Sequence, residues 1–580
     1  MCGIYGITDH DPTYIQQYIK KCSHRGPDGF KVWWDPDHKV TLGHNLLSIM
    51  ANPNLSTQPW KTPAGNILVY NGEIFNYYEL KEKYKGKGFA GITGCDTELL
   101  AWGLDEFGIS FLDEIDSMHG FAYYKIDTGE IFISRDHAGV KPLYYAEIRE
   151  GLVFGSELKG LLDKVPGARN MDMLAANFLS RTGCNPSRNS IFSGIRQLLP
   201  GETLIYDIKE KKFTGSKRIY IKPTGNNKYD QKEFRKQVHD AVKRCAIGQR
   251  KIGVFLSGGL DSSMVAFELG KIKKDLNTFT NKMHPEVTGP EDYNSDANAA
   301  KVLAEQEHYN HTEVIMTPKE YMETWDKSIY YMEQPIFNPS MSMYCYTNKV
   351  MSENGIVVTM AGDMGDELLG GYPKYQKMFY DRTNWPVNWR GLLSLWIKRI
   401  KRPKSLVQNP MPDSSLIDAL EDCYSSELWN SKDPVASYMA LDCVTQAPAE
   451  FFSRNDTYGM AHSMEGRFPL ATKNFMKYAL SIPSKEKIGR HKEQTKLLSK
   501  KAYKDIFPNE IVNKHKTGWT APIKGWIQDQ QIAKDYYQKR INQQDCLKDI
   551  VIRQNETSKS AIPAWILRDW ANKFNMTFEN

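Results

Sequence analysis

From residue 2 to about 215, apolar and polar positions alternate in short runs. CGIYGI, GNILVYNG, GFAYYKID, EIFISRD and GLVFGSE are each bounded by Gly, Asp or Asn. A period of two with that punctuation predicts short strands of a sandwich-like assembly. EIFNYYELKEKY and TELLAWGLDEFG interrupt them and read as helices. Residues 221–231, IKPTGNNKYDQ, concentrate Pro, Gly, Asn and charge and read as a linker. Beyond it the period changes. QKEFRKQVHDAVKRCAI predicts an amphipathic helix, KIGVFLS a buried strand ending in a glycine turn, SSMVAFELGK a helix and LNTFTNKM another strand. GIVVTMAGD is again an apolar, β-branched run closing on Gly and Asp. Strands alternating with helices imply a mostly parallel sheet covered on both faces. From about 375 to 580 the pattern is chiefly helical, without repeats or low-complexity tracts.

At 580 residues the chain is long enough for two or more domains, and 41% hydrophobic with 25% charged residues is the balance of a globular protein. Its net charge of +6, from 75 basic and 69 acidic residues, argues for neither a nucleic-acid nor a membrane partner. The basic stretch IKRIKRPK (397–404) reads as a solvated helix end. Nine scattered cysteines without CxxC spacing suggest neither a zinc site nor a disulfide framework, and fit a reducing, cytoplasmic setting. Asp9 and Asp11 stand where a signal peptide needs apolar residues, and no run reaches membrane-spanning length. Cys2 directly follows the initiator Met1. Removal of Met1 would place a thiol and a free amine on one residue.

Two stretches carry phosphate and metal chemistry. SGGLDSS (257–263) lies between the KIGVFL strand and a helix. Its paired glycines let backbone N–H groups curl round an anion, and the following helix adds its positive end. Ser257, Ser262 and Ser263 offer hydroxyls, and Asp261 suits Mg²⁺ bridging phosphate oxygens. MAGDMGDELLGGY (360–372) follows the GIVVTMAGD strand and sets Asp363, Asp366 and Glu367 within five residues. Such a cluster is costly unless a cation or proton offsets the repulsion.

With Cys2, RGPDG (25–29), NGEIFN (71–76), GCDTELL (94–100) and RDHAGVKPLYY (135–145) in this order, the first part resembles the class II, N-terminal-nucleophile glutamine amidotransferase domain. SGGLDSS is similar to the pyrophosphate loop of the ATP pyrophosphatases. AHSMEGRFPL (461–470), EQTKLLSKKAY (493–503) and KTGWTAPIKGW (516–526) extend the likeness, and nearly the whole chain resembles the glutamine-hydrolysing asparagine synthetase family. The resemblance implies an α/β and α+β protein. An Ntn-hydrolase-type αββα sandwich would span 2–215 and a linker 216–231. A doubly wound parallel-sheet ATP pyrophosphatase domain with a largely helical C-terminal part would span 232–580.

It also implies roles. Cys2 is the expected nucleophile, with its own α-amine as base. Asn71 and Gly72 are expected as oxyanion donors, worth roughly 3 kcal/mol each in other enzymes, and Asp96 as the carboxylate that receives the α-amino group of glutamine. Leu256, Ser257, Gly258, Gly259, Asp261, Ser262, Ser263 and Gly362 are expected to cradle ATP and pyrophosphate, with Asp261 and Asp366 on Mg²⁺. Aspartate would be adenylated to β-aspartyl-AMP and then amidated by ammonia that passes between the sites. Lys496 is matched to the family's charge-stabilising lysine and Asp363 to its proton acceptor. By analogy the protein would form a homodimer.

Three positions depart from the family pattern. In HNLLSI (44–49), Leu46 stands where the family has an arginine on the glutamine carboxylate, a contact worth about 1.5–3 kcal/mol. Asp363 replaces a common glutamate. Leu470, Ala471 and Thr472 replace an aromatic, a leucine and an aspartate, so that a helix cap or ion pair is expected to be lost. Three alternatives stay open: an amide ligase for another carboxylate, an ammonia-dependent form with a weakened glutaminase site, and a first domain that only binds.

Overall fold

The computed structural model describes residues 2–514, except 36, 38, 52, 285–291, 339, 382–384, 400–406, 408–409 and 492–493, together with 561–577. KTGWTAPIKGW, Glu493 and most of the basic stretch 397–404 lie outside the described residues.

The amino-terminal half holds two six-stranded antiparallel sheets. The first runs, in spatial order, Arg196–Gln197, Tyr144–Ile148, Gly151–Gly155, Gly3–Ile7, Val40–Leu46 and Gly29–Asp35. The second runs Lys212–Arg218, Glu202–Asp207, Glu130–Arg135, Ser117–Lys125, Ile67–Ile74 and Trp60–Lys61. Alternation decides which face each residue serves. Ile4, Val40 and Leu42 of the first sheet meet Ile67, Val69 and Ile133 of the second in a shared core. Tyr5 and Ile7 point the other way, onto helix Pro12–Lys21. Leu68 and Tyr70 face helices Tyr77–Tyr84 and Asp96–Phe107. The result is the expected αββα stack.

The carboxy-terminal half is built on a five-stranded parallel sheet, ordered Asn310–Met316, Asn277–Met283, Ile252–Phe255, Val358–Met360 and Glu465–Arg467. In sequence terms the order is third, second, first, fourth, fifth. The strand order therefore reverses between Ile252–Phe255 and Val358–Met360, where ligands of open α/β sheets sit. The fifth strand was not anticipated. Glu465, Gly466 and Arg467 look like a polar turn, yet all three are buried.

Charge explains that burial. Arg467 has no exposed surface. It donates to Glu465 at 2.6 Å, to the carbonyls of Cys245 and Ile247 at 2.7 and 2.6 Å, and to Glu73 of the other half at 2.7 Å. The contact between halves is rich in such bonds. Asp116 accepts from the N–H groups of Lys473 and Asn474 at 2.7 and 3.2 Å. It thereby caps helix Lys473–Ser481, whose own Thr472 makes no capping bond. The cap expected to be missing is supplied from the opposite half. Lys473 reaches the carbonyls of Leu112, Asp113 and Ile115, and burial lowers its pKa to about 8.

Residues 219–230 contain no helix or strand but are not a loose tether. Asn227 and Tyr229 donate to Ser481 and Glu486 at 2.9 Å each, and Asn430 donates to the carbonyl of Pro223 at 2.9 Å. Among the described residues the eight cysteines are free and buried, and no helix is long and apolar enough to cross a membrane.

Replacing Arg467 by Met leaves Glu73 and Glu465 buried without their cation. Removing one partner of a buried pair costs about 3–5 kcal/mol. A clear fall in the unfolding midpoint, read by circular dichroism, is expected for Arg467→Met.

Candidate active site

Two separate constellations gather the residues singled out above. The first surrounds Cys2, which is 7% exposed at the start of strand Gly3–Ile7. Its main-chain N–H donates to Asn71 Oδ1 at 2.9 Å. Asn71 Nδ2 is buried without a hydrogen-bond partner. An unpaired buried donor costs about 1–3 kcal/mol and is the condition in which a bound oxyanion would be favoured. Gly72 follows on the same strand, opposite His119. A Cβ there would sit 2.2 Å from the Met118 carbonyl, so the backbone approaches as only glycine allows. Burial pushes the Cys2 thiol above its usual pKa, so the neutral form needs a base to become a nucleophile.

Asp96 opens helix Asp96–Phe107 and accepts from Tyr70 Oη and the Ile74 N–H, both at 3.0 Å. Burial outweighs these bonds and raises its pKa. Glu73 lies two residues beyond Asn71 and therefore on the same face of the strand. Burial and Asp96 push its carboxyl well above the usual range, and its Oε1 has no partner. Glu73 was not singled out from sequence, although NGEIFN contains it.

Leu46 is buried, and the register Gly3↔Asn45 places it across from Cys2. Arg25 does not stand in for a cation at that position. Its Nε donates to the Cys2 carbonyl at 3.1 Å, and its Nη1 to Glu157 and Asp456 at 3.2 and 2.9 Å.

The second constellation lines a cleft of about 450 Å³ at the reversal point of the parallel sheet. Ser257, Gly259, Asp261 and Ser262 come from one strand end, and Gly362, Asp363 and Asp366 from its neighbour. Gly258 has φ +70°, and a Cβ would lie 2.1 Å from the Asp296 carbonyl. Ser262 Oγ donates to the Gly259 carbonyl at 3.0 Å and lies 2.9 Å from Ser257 Oγ, holding the turn open toward the helix end. Leu256, Gly258 and Ser263 support the loop without lining the cleft. Ser263 is fully buried, because a helix turns about 100° per residue and Asp261 and Ser262 already face the ligand side.

Lys496 closes the far wall. It pairs with Asp366 at 2.6 Å and with Asp261. Burial lowers its pKa, but the two carboxylates outweigh that and raise it overall. Gly362, Gly365 and Gly371 let these groups converge, since a Cβ at each would strike Asp261 or Asp366 within 2.8 Å. Among the described residues no three acidic, His or Cys side chains form a metal-binding group. Asp261 and Asp366 nevertheless reach one cation, which fits a Mg²⁺ ion completed by phosphate oxygens. Glu367 is directed differently and accepts from Tyr372 Oη at 2.6 Å.

Asp363 has a raised pKa, from burial opposed by Arg454. Arg454 was not anticipated. It is 6% exposed, stacks over Tyr344 at 4.1 Å and keeps a buried Nε without a partner. Glu450 and Gln446 stand beside it on the cleft wall, with Asn338 opposite. Gln446, Glu450 and Arg454 belong to a helical run without a local motif, so their pattern in sequence is that of a partly buried helix.

Known proteins are similar to this chain in sequence. The asparagine synthase family model matches residues 233–566, and a glutamine amidotransferase domain model matches residues 1–220. Putative glutamine-hydrolysing asparagine synthetase 2 of Methanocaldococcus jannaschii is 30% identical over 401 residues, covering 64% of this chain and 76% of its own. Glutamine-hydrolysing asparagine synthetase 1 of Bacillus subtilis is 25% identical over 577 residues, covering 91% and 88%. The Escherichia coli asparagine synthetase B is 27% identical over 397 residues, covering 65% and 66%.

Gly258→Ala places a side chain at positive φ against the Asp296 carbonyl, a strain of more than about 1 kcal/mol concentrated in the phosphate loop. ATP affinity, measured by calorimetry, is expected to fall by about tenfold or more, with the thermal midpoint nearly unchanged.

Proposed function

The chain belongs to the asparagine synthase family, and on that premise we propose that it is a carbon–nitrogen ligase making asparagine from aspartate, ATP and glutamine-derived ammonia. The observation that carries the reading is the convergence of Asp261, Asp366 and Lys496, from three distant segments, on one cleft that also holds Asp363.

In the first site, removal of Met1 frees the Cys2 amine to take the thiol proton. The thiolate attacks the glutamine side-chain carbonyl, and Asn71 Nδ2 and the Gly72 N–H receive the oxyanion. Ammonia leaves, and water cleaves the thioester to glutamate. Asp96 and Glu73 receive the α-ammonium of glutamine.

In the second site, backbone N–H groups around Gly258 and Gly259 and the start of helix Leu260–Gly270 hold the phosphates. The aspartate side-chain carboxylate attacks the α-phosphorus and pyrophosphate departs. Asp261 and Asp366 would hold Mg²⁺, which when bound neutralises phosphate charge. Ammonia then attacks the acyl carbon and AMP leaves. The raised pKa of Asp363 suits it to accept the proton released by the attacking nitrogen. Arg454 supplies positive charge for a carboxylate of the acceptor, and Glu450 negative charge for its ammonium. The same reading makes the protein a cytoplasmic enzyme, dimeric by analogy, with small-molecule substrates and no nucleic-acid or membrane partner.

A second reading, an ammonia-dependent form with a weakened glutaminase site, is favoured by Leu46 and by the engagement of Arg25 elsewhere.

Purified protein with ATP, Mg²⁺, aspartate and glutamine is expected to give asparagine, AMP, pyrophosphate and glutamate. Absence of asparagine with both glutamine and ammonia would falsify the assignment. Cys2→Ala is expected to abolish glutamine use while keeping synthesis from ammonia. Leu46→Arg is expected to lower the KM for glutamine about tenfold with kcat unchanged, the signature of added uniform binding.

A further inference from the structure

Glu450 reaches the cleft wall from a turn that is not α-helical. Its two carboxylate oxygens are held by two neutral amides. Gln446 Nε2 donates to Oε2 at 3.2 Å, and Asn338 Nδ2 donates to Oε1 at 3.3 Å. Neither donor is a cation, so the two bonds place the carboxylate without cancelling its charge.

Each amide is turned from behind by groups that leave it one orientation. Gln446 Oε1 accepts from Lys374 Nζ at 3.1 Å and from Arg399 Nη1 at 3.2 Å. Lysine and arginine have donors only, so the oxygen of Gln446 must face them and its NH2 must face Glu450. Asn338 Oδ1 accepts from the Ser340 N–H at 3.0 Å and from Ser340 Oγ at 2.6 Å. A main-chain N–H can only donate, which likewise turns the Asn338 NH2 toward Glu450.

Lys374 and Arg399 are themselves fixed. Both pair with Asp442, at 2.7 and 3.3 Å, and Asp442 has no exposed surface. Tyr375 and Trp396 donate to the same carboxylate at 2.6 and 2.8 Å. Two cations therefore share one carboxylate, and the Gln446 oxygen supplies a further acceptor for both. Spacing in the chain makes this line possible. Asp442, Gln446, Glu450 and Arg454 follow one another at intervals of four. On an α-helix that interval overshoots a full turn by about 40°. Ala447–Phe452 is π-wound, and its wider turn absorbs the overshoot where Glu450 enters the cleft.

We propose that Gln446 and Asn338 clamp Glu450 as a selector for acceptors that carry an α-ammonium, so that the cleft discriminates aspartate from a dicarboxylate without the amine. The inference rests on the reading of Glu450 as the partner of the acceptor's ammonium. Gln446 and Asn338 are positioning residues, and Lys374 and Arg399 act through Gln446. An ammonium cancels the charge that the neutral amides leave. A methylene in its place would leave Glu450 desolvated and unpaired.

The test measures pyrophosphate release with ATP, ammonia and either aspartate or succinate, which is aspartate without its α-amino group. The wild type is expected to prefer aspartate in kcat/KM by roughly a hundredfold, the worth of one charge-assisted contact. In Gln446→Leu that preference should fall about tenfold, through the KM for aspartate and with little change in the KM for ATP. Lys374→Met, which removes no residue of the cleft wall, should lower the preference in the same direction and carries the test if Gln446→Leu does not fold. A preference retained in the folded variants overturns the proposal. So does a loss by the same factor for both acceptors, complete loss included, because that marks general damage. Equal use of aspartate and succinate by the wild type overturns this inference and leaves the ligase reading standing, whereas no turnover of aspartate by the wild type fails both.

Discussion

Arg467 and Arg25 lie in the interior, and each has charge partners in both halves of the chain. Arg467 is answered by Glu465 beside it and by Glu73 across the boundary, Arg25 by Glu157 and by Asp456. A buried guanidinium costs several kcal/mol unless its carboxylates and carbonyls are already in place. Separating the halves would strip both arginines of a partner and leave Glu73 and Asp456 uncompensated. The capping of helix Lys473–Ser481 by Asp116 adds a further reason for the halves to stay docked. The two half-sites therefore lie on docked halves, and residues 219–230 are held by their own hydrogen bonds.

Much of this was legible before any coordinates. Strands such as GIYGI and ILVYNGEI, the turn at SGGLDSS and the change of period after the linker depend on local pattern, and each forms where the pattern predicts. Cys2, Asn71, Asp96, Asp261 and Asp366 stood out because their motifs are short and self-contained. What stayed hidden depends on pairing across long separations. Glu465–Arg467 looks like a surface turn until Glu73, nearly four hundred residues away, makes its burial affordable. Arg454 and Asp456 look like the polar face of a helix, and nothing near them in sequence tells that one faces a cleft and the other an arginine of the opposite half. A lost helix cap or ion pair was expected at Thr472, and Thr472 makes no side-chain capping bond. Its replacement by Asp116 is a tertiary event that no local reading contains.

The cleft shows how crowding positions charge. Met364 and Lys496 both adopt positive φ, 75° and 52°, at the starts of the helices Gly365–Leu369 and Leu497–Tyr503. Non-glycine residues accept that conformation only where surrounding contacts hold them there. At Lys496 the contacts are ionic. Lys496 turns out of its helix to lie between Asp261 and Asp366, and glycines at 362, 365 and 371 leave the room. Lys496 lies between the two carboxylates that, in the proposed function, would hold the metal ion. On that reading it would remain nearby to meet charge that develops on the phosphates.

The first site presents the opposite balance. Asp96 and Glu73 are buried together, and burial raises the pKa of both. Asn71 Nδ2 and Glu73 Oε1 lack partners, and the position across from Cys2 is an apolar Leu46. Two carboxylates that share a desolvated space are stabilised most by one ammonium placed between them. On the proposed reading the α-amino end of glutamine is such a group, and its binding would relieve their repulsion. Recognition in the proposed function would then lean on the amine rather than on the carboxylate that an arginine would have held. On that reading, grip on the donor comes from relief of an electrostatic strain between Asp96 and Glu73, and the thiol beside them, its pKa raised by burial, is activated by its own amine.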